Sequence, residues 1–219
     1  MTKSIKDYFD PIEFSYYLIT AVMLFLCMPL HADDIEEIVV RASYRDTALN
    51  QSGGSILVIG EDRLDGEPMK HFEQLSFLIP NLNFSASDSR PRYFQIRGIG
   101  ERSGYEGTPN SSVGFMIDDI DFSGQGGIAT GFDLEQVEVH RGPQGSRMGA
   151  NALAGMIYIR SKEPTDTFEG LTEVNLGSDG IASIGFAMGG PMQGNPAVKY
   201  RFSLRQDDSD GFRDNLYLK

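Results

Sequence analysis

The chain has 219 residues, with 19 lysines and arginines against 31 aspartates and glutamates and a formal charge of −12. A nucleic-acid surface needs a basic stripe, which this balance excludes, and the acid is scattered as on a solubilising surface. The length allows one or two modest domains with a real core, and 25 glycines, no tryptophan and many short alternating runs favour β structure. Residues 1–32 differ in texture from the rest. Tyr16 to Leu26 is an uncharged apolar run; about twenty residues cross a bilayer as a helix, and this run is roughly half that. Lys3 and Lys6 precede it and Ala32 follows, the layout of a secretory signal peptide, from which Asp7, Asp10, Glu13 and Leu30 depart. An uncleaved anchor is the other reading of the same run. Cys27 follows Leu24-Phe25-Leu26 rather than a small residue, which argues against lipidation. No cysteine follows Ala32, leaving no disulfide or thiolate chemistry beyond the signal.

Beyond Ala32, Ile35 to Ala42 reads as a short strand flanked by acids, and a polar leader runs on to Gly53-Gly54. Ile56 to Ile59 suits a buried strand, and Glu61 to Phe77 a helix that Pro80 stops. Asn81 to Phe84 is extended, and Phe94 to Arg97 alternates like a strand before Gly98-Ile99-Gly100. A polar, glycine-rich loop covers Glu101 to Ser112, Val113 to Ile117 is another strand, and Ser123 to Gly127 is a second glycine loop. Leu134 to His140 and Met156 to Arg160 are strands joined through RGPQG, residues 141–145. There Gly142 and Gly145 permit backbone angles closed to other residues and Pro143 fixes its own φ. From Phe168 the texture becomes that of hairpins, with a turn at Ser178-Asp179-Gly180. Ile184, Phe186 and Met188 share one face opposite the small Gly185, Ala187 and Gly189. Val198, Tyr200, Phe202 and Leu204 then face one way, against Lys199, Arg201, Ser203 and Arg205. That alternation fits a strand with lipid on one side and water on the other, or a half-buried soluble strand.

No residue pattern supports catalysis. Asp118, Asp119 and Asp121 lack a nearby histidine and calcium-loop spacing, and are better read as a solvated strand end. His71 and His140 stand alone in the sequence, as surface or packing residues do. Gly98-x-Gly100 and Gly124-x-Gly126-Gly127 lack the strand–loop–helix context and the lysine of a phosphate loop, and no Ser–His–Asp set is in view. The expectation is a non-enzyme without cofactor or metal.

Four blocks occur in order: IEEIVVRA (35–42), FQIRGIG (94–100), VGFMIDDID (113–121) and DLEQVEVHRGPQGSRMGANALAGMIYIRSKEP (133–164). Together they resemble the plug domain of TonB-dependent outer-membrane receptors, and the resemblance covers about Ile35 to Lys219. It implies an α+β fold: a small plug domain with a mixed β-sheet and short helices, followed by the first antiparallel strands of a transmembrane β-barrel. The implied domains are a signal peptide at 1–32, a TonB box with flexible leader at 33–54, the plug at 55–165 and barrel hairpins at 166–219. Ile35, Glu36, Glu37, Ile38, Val39, Val40, Arg41 and Ala42 would form the box, a free tether that the TonB C-terminal domain captures by strand addition. The resemblance makes Arg97, Arg141 and Gln144 latches between plug and barrel wall. It makes Tyr105 and Gln125 members of loops that face a small-molecule ligand, a siderophore or another scarce nutrient.

A receptor of this kind carries a closed barrel of about 22 strands, whereas this sequence holds three or four. An open sheet in lipid leaves backbone groups unpaired, so the expectation is a piece of a longer receptor or a truncated product. If the signal is cut at Ala32 the box begins within a few residues, so the expectation is uptake without an additional periplasmic signalling domain. The location implied is the outer membrane, with the box towards the periplasm. The alternative is a stand-alone soluble periplasmic plug-like binding or adaptor protein without a barrel.

Overall fold

The computed structural model describes residues 38–42, 47–65, 72–86, 91–103, 110–126 and 129–210. The expected signal peptide, Ile35, Glu36, Glu37, His71 and Tyr105 lie outside that set. Four strands rich in β-branched and aromatic residues, with short β7, build the central sheet: β3 (Ser55–Gly60), β6 (Val113–Ile117), β7 (Ile120–Asp121), β8 (Leu134–Arg141) and β9 (Gly155–Ser161). Their order is β3-β8-β9-β6-β7. β8 is antiparallel to both neighbours, β6 joins β9 in parallel, and β7 folds back on β6. Two smaller ribbons are β1 (Val39–Val40) with β2 (Thr47–Ala48), and β4 (Leu82–Ser85) with β5 (Tyr93–Ile96). Where one helix was expected from Glu61 to Phe77, two five-residue helices are described, α1 (Glu61–Asp65) and α2 (Phe72–Ser76).

Strand alternation gives the sheet two chemically distinct faces. Val137 lies opposite Ile159 and Val139 opposite Ile157; these four join Ile59, Leu64, Phe72, Leu75, Phe94 and Phe115 in the main core. Its aromatic centre is a trio. The Phe94 and Phe115 rings stack at 5.4 Å, and Phe72 stands edge-on to both at 5.3 and 5.2 Å. Each such pair adds about 0.5–1.5 kcal/mol beyond the burial of the rings. The opposite face carries Gln136, Glu138 and His140 of β8 beside Met156 and Tyr158 of β9, with Met116, Ala152 and Ala42 packed there.

The acidic stretch after β6 is exposed, as expected of a solvated strand end, and forms a two-residue hairpin loop. Ile117 pairs with Ile120, and Asp118 and Asp119 between them have φ of 47° and 67°, as a type I′ turn requires. Their carboxylates are occupied by the fold: Asp118 accepts from the Ser161 N–H (2.9 Å) and Oγ (2.7 Å), Asp119 from Arg147 (2.5 Å) and Tyr158 (3.3 Å). Among the described residues no cluster of histidine, cysteine or acid is arranged to hold a metal ion.

The connection from β8 to β9 is not a simple turn. Gly142 has φ of 105°, as expected, but Gly145 opens a single helical turn, α3 (Gly145–Met148). The chain then returns along the loop before β6, with Ala152 and Ala154 donating to the carbonyls of Ser111 and Ser112. Gly155 closes the excursion where a Cβ would stand 2.3 Å from the His140 carbonyl oxygen, so any other residue would force the two strands apart. The glycines of this stretch therefore serve a detour that links β8, β9 and β6 at one end of the sheet.

After Pro164 come β10 (Glu169–Leu176), β11 (Ala182–Met192) and β12 (Asn195–Asp208), an antiparallel meander. Phe186 lies opposite Leu204 and Met188 opposite Phe202. This face is open: Ile184, Phe186, Val198, Phe202 and Leu204 are all exposed. The other face packs on the central-sheet domain, so that Ala187 is fully buried and the Arg205 side chain only 5% exposed.

Candidate functional site

Ile38–Ala42, the described part of the expected box, is not a free tether. Val39 and Val40 pair with Ala48 and Thr47, the Leu49 N–H donates to the Ile38 carbonyl (2.9 Å), and Val40 and Ala42 are buried at 2% and 1% exposure. What holds the segment is the polar face of β8. The Arg41 and Ala42 N–H groups donate to Glu138 Oε1 at 2.6 and 3.1 Å, and Ala42 also reaches Oε2 at 3.2 Å. Gln136 Nε2 donates to the Val39 carbonyl at 3.1 Å and to Glu138 Oε1 at 2.5 Å, while His140 Nε2 sits 2.7 Å from Glu138 Oε2.

Glu138 has no solvent exposure. Burial acts to raise its pKa; the hydrogen bonds from His140, Arg41 N–H and Gln136, with the charge of the His140 ring, outweigh it, and the pKa is lowered. The group is thus held as a carboxylate, with the His140 ring as its side-chain partner. His140, expected as a surface or packing residue, is a buried partner of this acid. At the rim of the segment, Glu135 accepts from Arg160 Nε (3.1 Å) and faces Arg41 Nε (3.3 Å).

The expected latch residues divide. Arg97 takes a left-handed φ of 54°, its N–H bonds the Asn81 carbonyl, and its guanidinium reaches Ser55 Oγ (3.3 Å). Arg141 is the cross-strand partner of Ser55 and donates to the Pro80 carbonyl (3.4 Å). The fold thus brings both arginines to one corner of the sheet. Gln144 donates its amide to the carbonyl of Gly142, within its own turn and next to Arg141 (3.4 Å).

Of the ligand-loop residues, Gln125 is exposed on the turn after Phe122, to whose carbonyl it bonds. Tyr105 lies outside the described residues, but the neck of its loop is well defined. Glu101 accepts from the Ser112 N–H (2.9 Å) and Oγ (2.6 Å), and its own carbonyl accepts from Gln95 Nε2 (2.6 Å).

A further contact joins the central-sheet domain to the meander. Arg201 of β12 donates through Nη2 and Nε to the two oxygens of Asp133 at 2.6 and 2.9 Å, and through Nη1 to Glu169 at 2.7 Å. Beside it the Phe132 ring lies under the Arg205 guanidinium at 5.7 Å and fills the space left by Gly185, where a Cβ would come within 2.7 Å of it. Neither Asp133 and Arg201 nor the Gln136–Glu138–His140 row was expected from the sequence. The second set left a signal: polar residues at every other position of a strand flanked by apolar ones. The first left none, since its partners are 68 positions apart.

A small mixed sheet with short helices, an N-terminal segment docked on one face and an antiparallel meander packed beside it is the architecture of a plug domain with the wall strands that follow it. Residues 48–156 match the family model described as TonB-dependent Receptor Plug Domain. The ferric enterobactin receptor PirA of Pseudomonas aeruginosa is 26% identical over 186 residues, which cover 77% of this chain and 25% of that protein. The pesticin receptor of Yersinia pestis is 26% identical over 180 residues, 81% of this chain and 26% of that protein. The structure of the pyoverdine outer membrane receptor FpvA of Pseudomonas aeruginosa bound to pyoverdine superposes with a TM-score of 0.66 at 22% identity, over 77% of this chain and 24% of that one. The chain belongs to the TonB-dependent receptors: its core is their plug. It spans about a quarter of the length of the curated relatives it matches.

Proposed function

We propose that this chain forms the plug and first wall strands of an outer-membrane receptor that takes up an iron–siderophore complex or a similar scarce nutrient, with TonB acting on Ile35–Ala42. The observation that carries the reading is the two-sidedness of the meander. Val198, Phe202 and Leu204 point outward at 45, 50 and 61% exposure, while Arg201 and Arg205 of the same strand turn inward, Arg201 onto Asp133 and Arg205 over the Phe132 ring. A row of large apolar side chains on one face and plug-bound charges on the other is what a strand between lipid and a filled lumen needs. The name of one relative, a receptor for ferric enterobactin, favours an iron chelate as the ligand.

In this reading the loops at 101–112 and 123–127 contact the ligand, Arg97 and Arg141 bind carboxylates of the wall, and gating is a movement of the plug. The chemistry is binding and mechanics, without a bond-making step. The test is expression of the gene in a Gram-negative host stripped of its own siderophore receptors, followed by uptake of radioactive iron from a panel of ferric siderophores, with labelled cobalamin as a contrast. TonB-dependent uptake of at least one chelate is the expected result. A protein that fractionates with the soluble periplasm, or uptake unchanged by loss of TonB, overturns it.

A further inference from the structure

A buried carboxylate facing another segment's main chain is expensive unless every oxygen lone pair is used. Glu138 meets that condition only while Ile38–Ala42 is docked. Its oxygens receive the N–H groups of Arg41 and Ala42, the Gln136 amide and the His140 ring. Gln136 adds a bond to the Val39 carbonyl. By contrast, the ladder that pairs this segment with the rest of the leader is two residues long, Val39 with Ala48 and Val40 with Thr47. A ribbon that short is marginal on its own. The hold on the segment therefore comes from β8, a strand paired on both sides, and from the burial of Val40 and Ala42.

We infer that Glu138, seated by Gln136 and His140, is a catch for the main chain of the box, and that TonB must draw Arg41 and Ala42 off this carboxylate before it can pair with the segment. The inference rests on the reading of Ile35–Ala42 as the TonB site and adds the group that regulates access to it. The N–H groups that Glu138 binds belong to the stretch that strand addition would use, so catch and partner compete for one piece of backbone. The docked state lowers the apparent affinity for TonB by the fraction of time the segment is released. Glu138 is a positioning residue here; it touches neither ligand nor TonB.

The experiment uses the protein purified in detergent from outer membranes, as wild type and as Glu138→Gln. Glutamine keeps the volume but loses the charge, and turns an NH2 donor towards one of the donors around it. Two quantities are read: amide hydrogen exchange of the peptide covering 38–42, and the dissociation constant for the purified TonB C-terminal domain. Loss of charge-assisted hydrogen bonds to a buried group should quicken exchange at Arg41 and Ala42 by about 10–100-fold and tighten TonB binding by a comparable factor. Exchange in β9 should stay as in wild type. If it rises too, Gln136→Leu decides the matter: that change removes the bond to the Val39 carbonyl and should produce a smaller rise confined to 38–42. Unchanged exchange at 38–42 in both variants overturns the catch. Faster exchange with unchanged TonB affinity overturns its role in access. If TonB binds neither form, the functional reading of the segment falls and the proposal with it.

Discussion

Asp133→Asn isolates the contact that ties the plug to the wall strands. Asp133 has φ of 60°, a left-handed conformation that asparagine tolerates as well as aspartate does, so the backbone is not the variable. What changes is the charge opposite Arg201, in a pair whose side chains are 11% and 3% exposed. Breaking a buried ion pair from one side costs about 3–5 kcal/mol, because the surviving charge stays buried. Arg201 keeps Glu169 at 2.7 Å, itself 45% exposed, and asparagine keeps one acceptor. The expected loss is accordingly about 2–3 kcal/mol. The assay is equilibrium unfolding in detergent micelles for Asp133→Asn, Arg201→Met and the double variant. The double variant removes both charges and should be little worse than the harsher single one, giving a coupling of about 2 kcal/mol. Single losses that simply add, within about 0.5 kcal/mol, would mean that the two groups do not support one another and would refute the argument.

Three further outcomes follow from the same geometry. Gly185→Ala places a methyl group 2.7 Å from the Phe132 ring; overpacking of this kind costs about 1–3 kcal/mol, and unfolding in micelles should show it, with partial recovery in a Phe132→Leu background. Phe202→Lys on the open face should cost about 2–4 kcal/mol when the protein is folded into liposomes if that face meets lipid near the bilayer centre, and within about 0.5 kcal/mol if it meets water. The third outcome is a dependence on pH. The pKa of Glu138 is lowered against its burial, first by the His140 hydrogen bond and next by the Arg41 N–H of the docked segment, so its contribution to holding Ile38–Ala42 is complete above the ordinary glutamate value of 4.5 and is lost as pH falls through the lowered one. The groups that face it are Arg41 on the segment, Gln136 and His140 on β8 and Tyr158 across on β9. Exchange at 38–42, corrected for the intrinsic rate, should rise below that value in wild type and not in Glu138→Gln.

The strands were legible because their cause is local. Alternation at Val137, Val139, Ile157 and Ile159 marks one buried face, and the same rule separates Val198, Tyr200, Phe202 and Leu204 from Arg201 and Arg205. Of the helix expected over 61–77, Glu61–Asp65 and Phe72–Ser76 are helical, and the residues between them lie outside the described set. The acidic strand end was legible but its turn type was not, because Asp118 and Asp119 stand at left-handed positions where asparagine and glycine are the usual signal. The resemblance singled out Arg97 and Arg141, and the fold brings these two to one corner of the sheet. The site was hidden at Glu138, whose partners are main-chain groups 96 and 97 positions away. Backbone donors carry no side-chain signature, so no pattern of residue types could point to them.

The placement of these contacts along β8 bears on how a pull would act. Asp133, the residue before this strand, is bound to Arg201 of β12; Glu138, at its middle, holds the main chain of Arg41 and Ala42; Arg141, at its end, reaches the corner shared with Arg97. β8 is also paired along its length with β3 on one side and β9 on the other. A tension applied at Ile38 therefore meets β8 through a few hydrogen bonds to one carboxylate and one amide, whereas β8 is held by two full ladders and a buried ion pair. The bonds in series that carry the least must part first. If the proposed pull acts at Ile38, Arg41 and Ala42 would leave Glu138 before the central sheet is disturbed, with Asp133 still bound to Arg201.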